Sequence, residues 1–196
     1  MDHSAKATSK AAACFGRRRS CTPPRLPSTL PWRGLVTFYT AFVIDLASRR
    51  VQVLGTTAHP DDLFMRQVAR TLRMAYANAC RVLICDRDPK WSVAVREQLE
   101  EAGIRVVQTP YQAPNATAHA EQFVRSMKEE GLDRITPIVE GHFRRAVAEF
   151  VAHYHRERNH QGLDNALIDG AALTGAGRVR RQSRLGEPLN FYTRVA

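Results

Sequence analysis

The sequence predicts an α/β layered domain built on a mixed sheet. A β-hairpin signal comes first, and helical and strand-like periods then alternate along the chain, which is the pattern of a sheet layered with helices. With 196 residues and 44% apolar content, the chain has room for one domain with a real core.

Each element follows from its residues. Leu35–Leu46 is rich in Val, Phe, Tyr, Thr and Ile and reads as a strand, buried on both faces at Phe42-Val43-Ile44. Ser48-Arg49-Arg50 makes a turn, and Val51–Gly55 pairs back. Pro60 suits a first helical turn, and Asp61 and Asp62 sit against the positive end of the helix dipole. Phe64, Val68, Leu72 and Tyr76 recur every four residues, so 60–76 is an amphipathic helix. Val82–Cys85 is a short buried strand. Val95, Leu99 and Ala102 mark a helix that Gly103 stops, and Ile104–Val107 is the next strand. The stretch 108–118, with Pro110 and Pro114, is a loop. Ala120, Phe123, Val124 and Met127 give a helix over 118–130 closed by Gly131, and Phe143, Val147, Phe150, Val151 and Tyr154 give a long final helix.

Residues 1–31 differ from the rest: Lys6, Lys10, Arg17, Arg18, Arg19 and Arg25 stand against the single acid Asp2, with prolines at 23, 24, 27 and 31. No period survives there, so the segment reads as a disordered basic tail. The expected organisation is this tail, a folded core over 32–165 and a C-terminal extension over 166–196.

Twenty-nine Lys+Arg against 19 Asp+Glu leave a net charge of +10. Such an excess points to a polyanionic partner, nucleic acid first, against the plainer reading of a soluble basic protein. No apolar run approaches the ~18–20 residues that span a bilayer, so no membrane is expected. Cys14, Cys21, Cys80 and Cys85 form no CxxC pair, and no apolar signal segment precedes them. Free thiols in a reducing, cytoplasmic compartment follow.

Two acids stand out. Asp86 leaves the Val82–Cys85 strand, at the strand end where ligand sites gather in such sheets. Glu121, with 34 residues between it and Asp86, lies in the first turn of the 118–130 helix. Arg125 and Lys128 follow on its face at i+4 and i+7. A metal-binding acid trailed by phosphate-binding cations suits phosphoryl transfer on DNA. On the residues alone a second reading stands beside it: Asp86 as a turn cap, and Glu121 with Arg125 as an ordinary surface salt bridge.

From about Gly34 to Leu163 the chain resembles the catalytic core of insertion-sequence transposases and retroviral-type integrases. The resemblance rests on Phe42-Val43-Ile44-Asp45-Leu46-Ala47-Ser48-Arg49-Arg50, on Asp86-Arg87, and on Pro114-Asn115 leading to Ala118-His119-Ala120-Glu121. It continues in Tyr154, Arg158-Asn159-His160 and Leu163, and in Arg184-Leu185-Gly186 with Asn190-Phe191-Tyr192. It implies a ribonuclease-H-like mixed sheet flanked by helices and an Asp-Asp-Glu triad holding two Mg²⁺ or Mn²⁺ ions. By resemblance Asp86 is the second triad acid and Glu121 the third, and both bind metal. Asn115, Arg125, Lys128, Arg158 and His160 are then the DNA-binding set. The implied partners are transposon ends and target DNA, with a further copy of the chain, in a bacterial cytoplasm at the nucleoid.

The first triad acid belongs on the family's first strand, and between His3 and Ile44 this chain has no Asp and no Glu. The expectation is a truncated or frameshifted copy with impaired catalysis, or a DNA-binding derivative without activity. Asp45 reads as part of the Ser48–Arg50 turn, Asp61 and Asp62 as dipole partners, and Asp88 as support for the loop after Asp86. His153, His155 and His160 do not share the spacing of a zinc site. Trp91 reads as core and Tyr111 as a candidate stacking residue.

Overall fold

Phe42, Val43 and Ile44 are each no more than 1% exposed, so consecutive side chains are buried on both faces of their strand. Only an interior strand with layers on each side can hold such a run. The structure, a computed structural model, describes residues 9–20, 36–76, 80–110, 118–135, 139–170, 177–186 and 189–195; for 9–20, 36–37 and 193–195 it describes the backbone alone. The chain divides into two units, Met1–Arg17 with Tyr39–Glu121, and Arg18–Phe38 with Gln122–Ala196.

The first unit carries most of strands β1 (Ser9–Ser20) and β2 (Val36–Asp45), then β3 (Val51–Thr57), β4 (Cys80–Cys85) and β5 (Arg105–Gln108), with helices α1 (Asp62–Tyr76) and α2 (Val93–Glu100). The sheet order is β3-β2-β1-β4-β5. β2 and β3 pair antiparallel, whereas β1–β4 and β4–β5 pair parallel, so the expected mixed sheet is present. Within the segment read as a tail, Ser9–Ser20 runs as the central strand β1, with Ala11 in register with Leu83 and Ala13 with Cys85. Its apolar stretch, Ala11 to Phe15, is short and followed directly by Arg17–Arg19, so no period announces it. The remainder of that segment, 1–8 and 21–31, lies outside the described residues.

Local chemistry sets the joints. Asp45 Oδ1 accepts from Ala47 N (3.0 Å), Ser48 N (2.7 Å) and Ser48 Oγ (2.9 Å), locking the β2–β3 turn in which Arg49 adopts φ 60°. The register of β2 against β3 shifts between Ala41 and Phe42, beside Gly55, where a Cβ would lie 3.0 Å from the Phe64 ring. Asp61 caps α1 by accepting from Phe64 N (2.8 Å), and Asp62 pairs with Arg66 one turn on (2.6 Å). Ser92 caps α2, and Gly103 at φ 78° ends the turn after it. Between sheet and helices lies one apolar cluster that includes Val43, Val68, Leu72, Leu83, Trp91, Val95 and Leu99.

The second unit carries most of α3 (Ala118–Ser126), then α4 (Glu140–Arg156) and a hairpin of β6 (Arg178–Arg184) and β7 (Leu189–Val195). The helix expected over 118–130 stays α-helical only to Ser126; Met127–Gly131 forms a wider π turn, and Leu132–Arg134 a tight 3₁₀ turn. Met127, Gly131 and Leu132 are all buried there. A Cβ on Gly131 would lie 3.0 Å from the Phe150 ring, so any side chain there would make that ring give. Phe123, Phe150 and Tyr154 pack with ring centroids 5.0–6.3 Å apart, a spacing that favours tilted and edge-on contacts. Phe38 stacks on Phe143 at 5.2 Å.

An ionic clamp joins α4 to the hairpin. Glu157 accepts from both Nε and Nη2 of Arg184 (2.6–3.0 Å) and from His153 Nδ1 (2.9 Å). Burial pushes the Glu157 carboxyl up, yet the Arg184 and His153 hydrogen bonds outweigh it and hold the group below its usual range. Leu99→Ala, at a position with 0% exposure, is expected to cost about 2–5 kcal/mol in urea unfolding. Leu63→Ala, at 73% exposure on α1, is expected to stay within about 0.5 kcal/mol of the wild-type chain.

Candidate functional site

Asp86 follows β4 directly and is fixed by the loop that it opens. Trp91, itself buried in the core, donates from Nε1 to Asp86 Oδ1 (3.0 Å). Asp88 accepts from Lys90 N (2.9 Å) and from Lys90 Nζ (2.9 and 3.0 Å), and its carbonyl accepts from Trp91 N (3.0 Å). Arg87 Nε donates to Thr109 O (2.7 Å) while Thr109 N donates to Cys85 O (3.0 Å), tying the loop to the end of β5. Lys90 also stands over the Tyr39 ring at 5.2 Å. Asp88 thus serves the loop, and Trp91 serves the core, as their sequence positions suggest.

The Asp86 carboxyl is half-buried, and that burial pushes its pKa up, with the charge of Asp88 adding to it. The Asp88 backbone N–H, the Trp91 hydrogen bond and the Lys90 charge act in the opposite direction without cancelling it. Burial, with the Asp86 charge behind it, also lifts the neighbouring Cys85 thiol to about 11, so that cysteine stays protonated and inert at neutral pH. A carboxylate with an elevated pKa on a rigid strand end is a favourable place for added positive charge, because a cation restores the ionised form.

Glu121 is exposed in the first turn of α3, with Ala120 and Phe123 buried on the core side as the helical period requires. Beside it, His119 is held below its ordinary pKa by partial burial and by the charge of Arg49. Arg49, presented by the β2–β3 turn, is a cation at the start of α3 that sequence reading does not single out as part of a site. Asp86, Glu121, Arg49 and His119 all belong to the first unit. Arg125 is exposed and Lys128 half-buried, and both belong to the second unit; Asn115 and Tyr111 lie outside the described residues.

Two members of the expected DNA-binding set are used internally. His160 is 7% exposed, donates from Nε2 to Tyr154 O (2.8 Å) and meets the Tyr154 ring edge-on at 4.5 Å. A ring so enclosed has no face to offer a phosphate. Arg158 grips Glu130 through Nε (3.2 Å) and Nη2 (2.8 Å), donates to Ser126 Oγ (3.2 Å) and covers the Tyr154 ring at 5.7 Å. The guanidinium therefore fastens α4 to the π turn. The three clustered histidines go separate ways: His153 to Glu157, His155 toward Asp169 (3.8 Å) and His160 to Tyr154.

Among the described residues, no three His, Cys, Asp or Glu side chains converge as a metal-holding group. The strand beside Asp86 explains part of this. Ala13 is in register with Cys85, so Cys14 is the β1 residue level with Asp86, and Ser9–Ser20 contains no Asp or Glu. A pair of Mg²⁺ or Mn²⁺ ions needs carboxylates brought together, with water and substrate phosphate filling the remaining oxygen positions. The described side chains do not fit a pair of such ions.

Neither a family model nor a curated protein matches the sequence. Solved structures do. The crystal structure of the catalytic core domain of BIV integrase aligns with a TM-score of 0.51 at 14% identity, over 77% of this chain and 87% of that one. The cryo-EM structure of the simian T-cell lymphotropic virus intasome in complex with PP2A regulatory subunit B56 gamma aligns with a TM-score of 0.58 at 8% identity, over 88% of this chain and 59% of that one. The fold is that of an integrase catalytic core. It is the ribonuclease-H-like mixed α/β arrangement that the sequence predicts. At such identities the likeness is one of fold.

The raised Asp86 pKa has a signed consequence. A carboxyl whose folded pKa lies above its unfolded value stabilises the fold at low pH, and this is lost as pH rises from about 3.9 through the folded pKa. Asp86→Asn is expected to raise stability at pH 7 relative to wild type and to lose that advantage near pH 3. Urea unfolding of both chains at the two pH values measures it; a variant less stable at pH 7 contradicts the burial assignment.

Proposed function

We propose that the chain is a DNA-integration protein: an integrase-type core that binds DNA ends and target, with phosphoryl transfer impaired by the lack of a first-strand carboxylate. The observation that carries this reading is the half-buried Asp86 at the end of β4, beside a β1 without any acid. Glu121 is the second acid of the proposed pair, and Asp86 and Glu121 are the residues that would hold Mg²⁺ or Mn²⁺. Such an ion would supply positive charge to the oxygens of a phosphoryl transfer. In this chain Asp86 is oriented by Trp91, and Asp88 beside it is paired with Lys90.

The strongly basic composition supports a DNA partner, and the integrase and intasome likenesses support that partner and self-association. Among the described residues no helix is long and apolar enough to cross a membrane. A cytoplasmic, nucleoid-associated setting fits a DNA partner. The acid-free β1 also favours a second reading, a DNA-binding derivative without enzymatic activity.

The test uses purified chain, Mn²⁺ or Mg²⁺ and a labelled linear duplex. Retardation of the duplex is expected, with cleavage at least about 10³-fold below what a full metal site gives, in line with the loss of several kcal/mol of charge stabilisation. Asp86→Ala is expected to abolish any residual metal-dependent cleavage and to bind DNA no more weakly, since it removes a negative charge. Efficient wild-type turnover lost in that variant would replace the impaired reading, and absence of DNA retardation would sink the proposal.

A further inference from the structure

We propose that the β6–β7 hairpin is a docking surface for duplex DNA, carried by the second unit and independent of the acid pair. Its strands, Arg178–Arg184 and Leu189–Val195, contain five arginines and no acid. The pairing places Arg184 opposite Leu189 and Gln182 opposite Phe191 on one face. That face packs inward: Leu189 is buried, Arg184 is clamped by Glu157, and Phe191 lies 6.4 Å from the His153 ring.

Strand alternation then sends the other face outward. There Arg181 stands opposite Tyr192 and Ser183 opposite Asn190, with Val179 on the same side. Tyr192 is 67% exposed and Val179 53%. Arg181 Nε donates to Asn190 Oδ1 (2.9 Å), which holds the guanidinium across the ribbon beside Tyr192. Arg178 and Arg180 have the parity of Gln182 and Arg184, so they lie on the opposite face of the ribbon from Arg181 and Tyr192, exposed at its open end.

Charge alone has a plainer reading, since charged side chains protect the edges of a small sheet from further pairing. That reading does not explain an exposed tyrosine and valine on the arginine-bearing face. Arginine with an aromatic on one surface suits a polyanion whose sugars and bases also offer apolar contact. A membrane is a poorer fit, because one tyrosine and one valine give little apolar area to insert.

Shape selects the duplex. Two antiparallel strands ~4.8 Å apart form a ribbon, and the B-DNA major groove, ~12 Å wide, admits such a ribbon. Seven residues at ~3.3 Å each extend roughly 23 Å, about two-thirds of a ~34 Å helical turn. The A-form RNA major groove is too narrow and deep to take it. The hairpin is also rigid at its closed end, where Leu185 N donates to Glu149 Oε2 (3.3 Å) and the Arg184–Glu157 clamp follows.

The experiment measures fluorescence anisotropy of labelled DNA duplex, RNA duplex of the same sequence and phosphatidylserine vesicles against the full chain, in EDTA. Without divalent metal the acid pair is silent, so failure of the catalytic reading leaves this readout unchanged. R178A/R180A/R181A, which keeps Arg184 and its clamp, is expected to weaken DNA binding at least about 30-fold at low salt. Its plot of log affinity against log salt is expected to flatten by about 2.7, or 0.9 per lost phosphate contact. Arg181→Gln alone is expected to flatten it by about 0.9, which keeps the test valid if the triple variant fails to fold. Tyr192→Ala is expected to weaken binding about tenfold with no change of slope. Unchanged affinity and slope in the arginine variants overturns the proposal, as does equal binding of the RNA duplex or binding of the vesicles alone.

Discussion

A carboxylate held partly out of water at the end of a parallel strand is the constraint around which the first unit is arranged. Parallel pairing of β4 with β1 and β5 forces crossover connections; Leu83 and Cys85 on one face of β4 are buried, and Val82 and Ile84 on the other are half-buried. The chain leaves β4 with the core behind it and a polar loop ahead. Asp86 stands at that boundary, and the loop spends most of its polar groups keeping it there. The Trp91 indole points out of the core to reach it, Asp88 and Lys90 neutralise each other beside it, and Arg87 ties the loop to β5. A stability-optimised turn at this place would expose the carboxylate fully. Keeping it half-buried works against stability at neutral pH, a pattern typical of sites kept for chemistry.

The second unit solves a different problem, the attachment of a two-stranded hairpin that has little core of its own. An isolated hairpin is marginal in water. Here Leu189 supplies the apolar contact, and Glu157 supplies a doubly hydrogen-bonded arginine clamp whose carboxylate is further held by His153. Leu185 accepts a positive φ of 57° at the tip, uncomfortable for a branched side chain, and its amide is taken up by Glu149. These anchors all fall at the closed end of the hairpin, so its open end projects Arg178 and Arg180 into solvent.

What the sequence made legible followed from local rules. The β2 burial, the Asp45 turn, the capping of α1 and the Gly103 stop each depend on residues within a few positions of one another. Elements that depend on distant partners were harder to read. β1 is an alanine run whose role comes from lying next to β4, and three arginines after it mask the apolar signal. β6 reads Arg-Val-Arg-Arg-Gln-Ser-Arg, with no apolar alternation, because only β7 and the clamp give it a buried side. Arg158 and His160 look like DNA contacts in sequence because cations in a basic chain usually face solvent; the π turn and Tyr154 draw them inward. Asp86 and Glu121 were legible as residues, whereas the acid-free strand beside Asp86 needed the register to be seen.

The distribution of partners separates structural acids from the candidate site. Asp62 pairs with Arg66, Asp88 with Lys90, Glu130 with Arg158, Glu140 with Arg144 and Glu157 with Arg184. Asp45 and Asp61 are taken up by backbone amides of a turn and a helix start. Each of these carboxylates has its charge met within its own unit by a cation or by oriented N–H groups, which accounts for its position without a ligand. Asp86 also accepts, from the indole of Trp91 and from the backbone N–H of Asp88, yet burial and the Asp88 charge keep its pKa raised. With the cations Arg66, Lys90, Arg144, Arg158 and Arg184 committed to acids, the net positive charge resides in other arginines and lysines. The exposed ones on β6 stand on strands with no acid in reach along the ribbon. The same division, acids satisfied inside and arginines projected outward, leaves one half-buried carboxylate in one unit and one basic ribbon in the other. The proposed DNA binding and the proposed phosphoryl transfer therefore rest on separate features, the first on surface charge, the second on a carboxylate set that β1 does not complete.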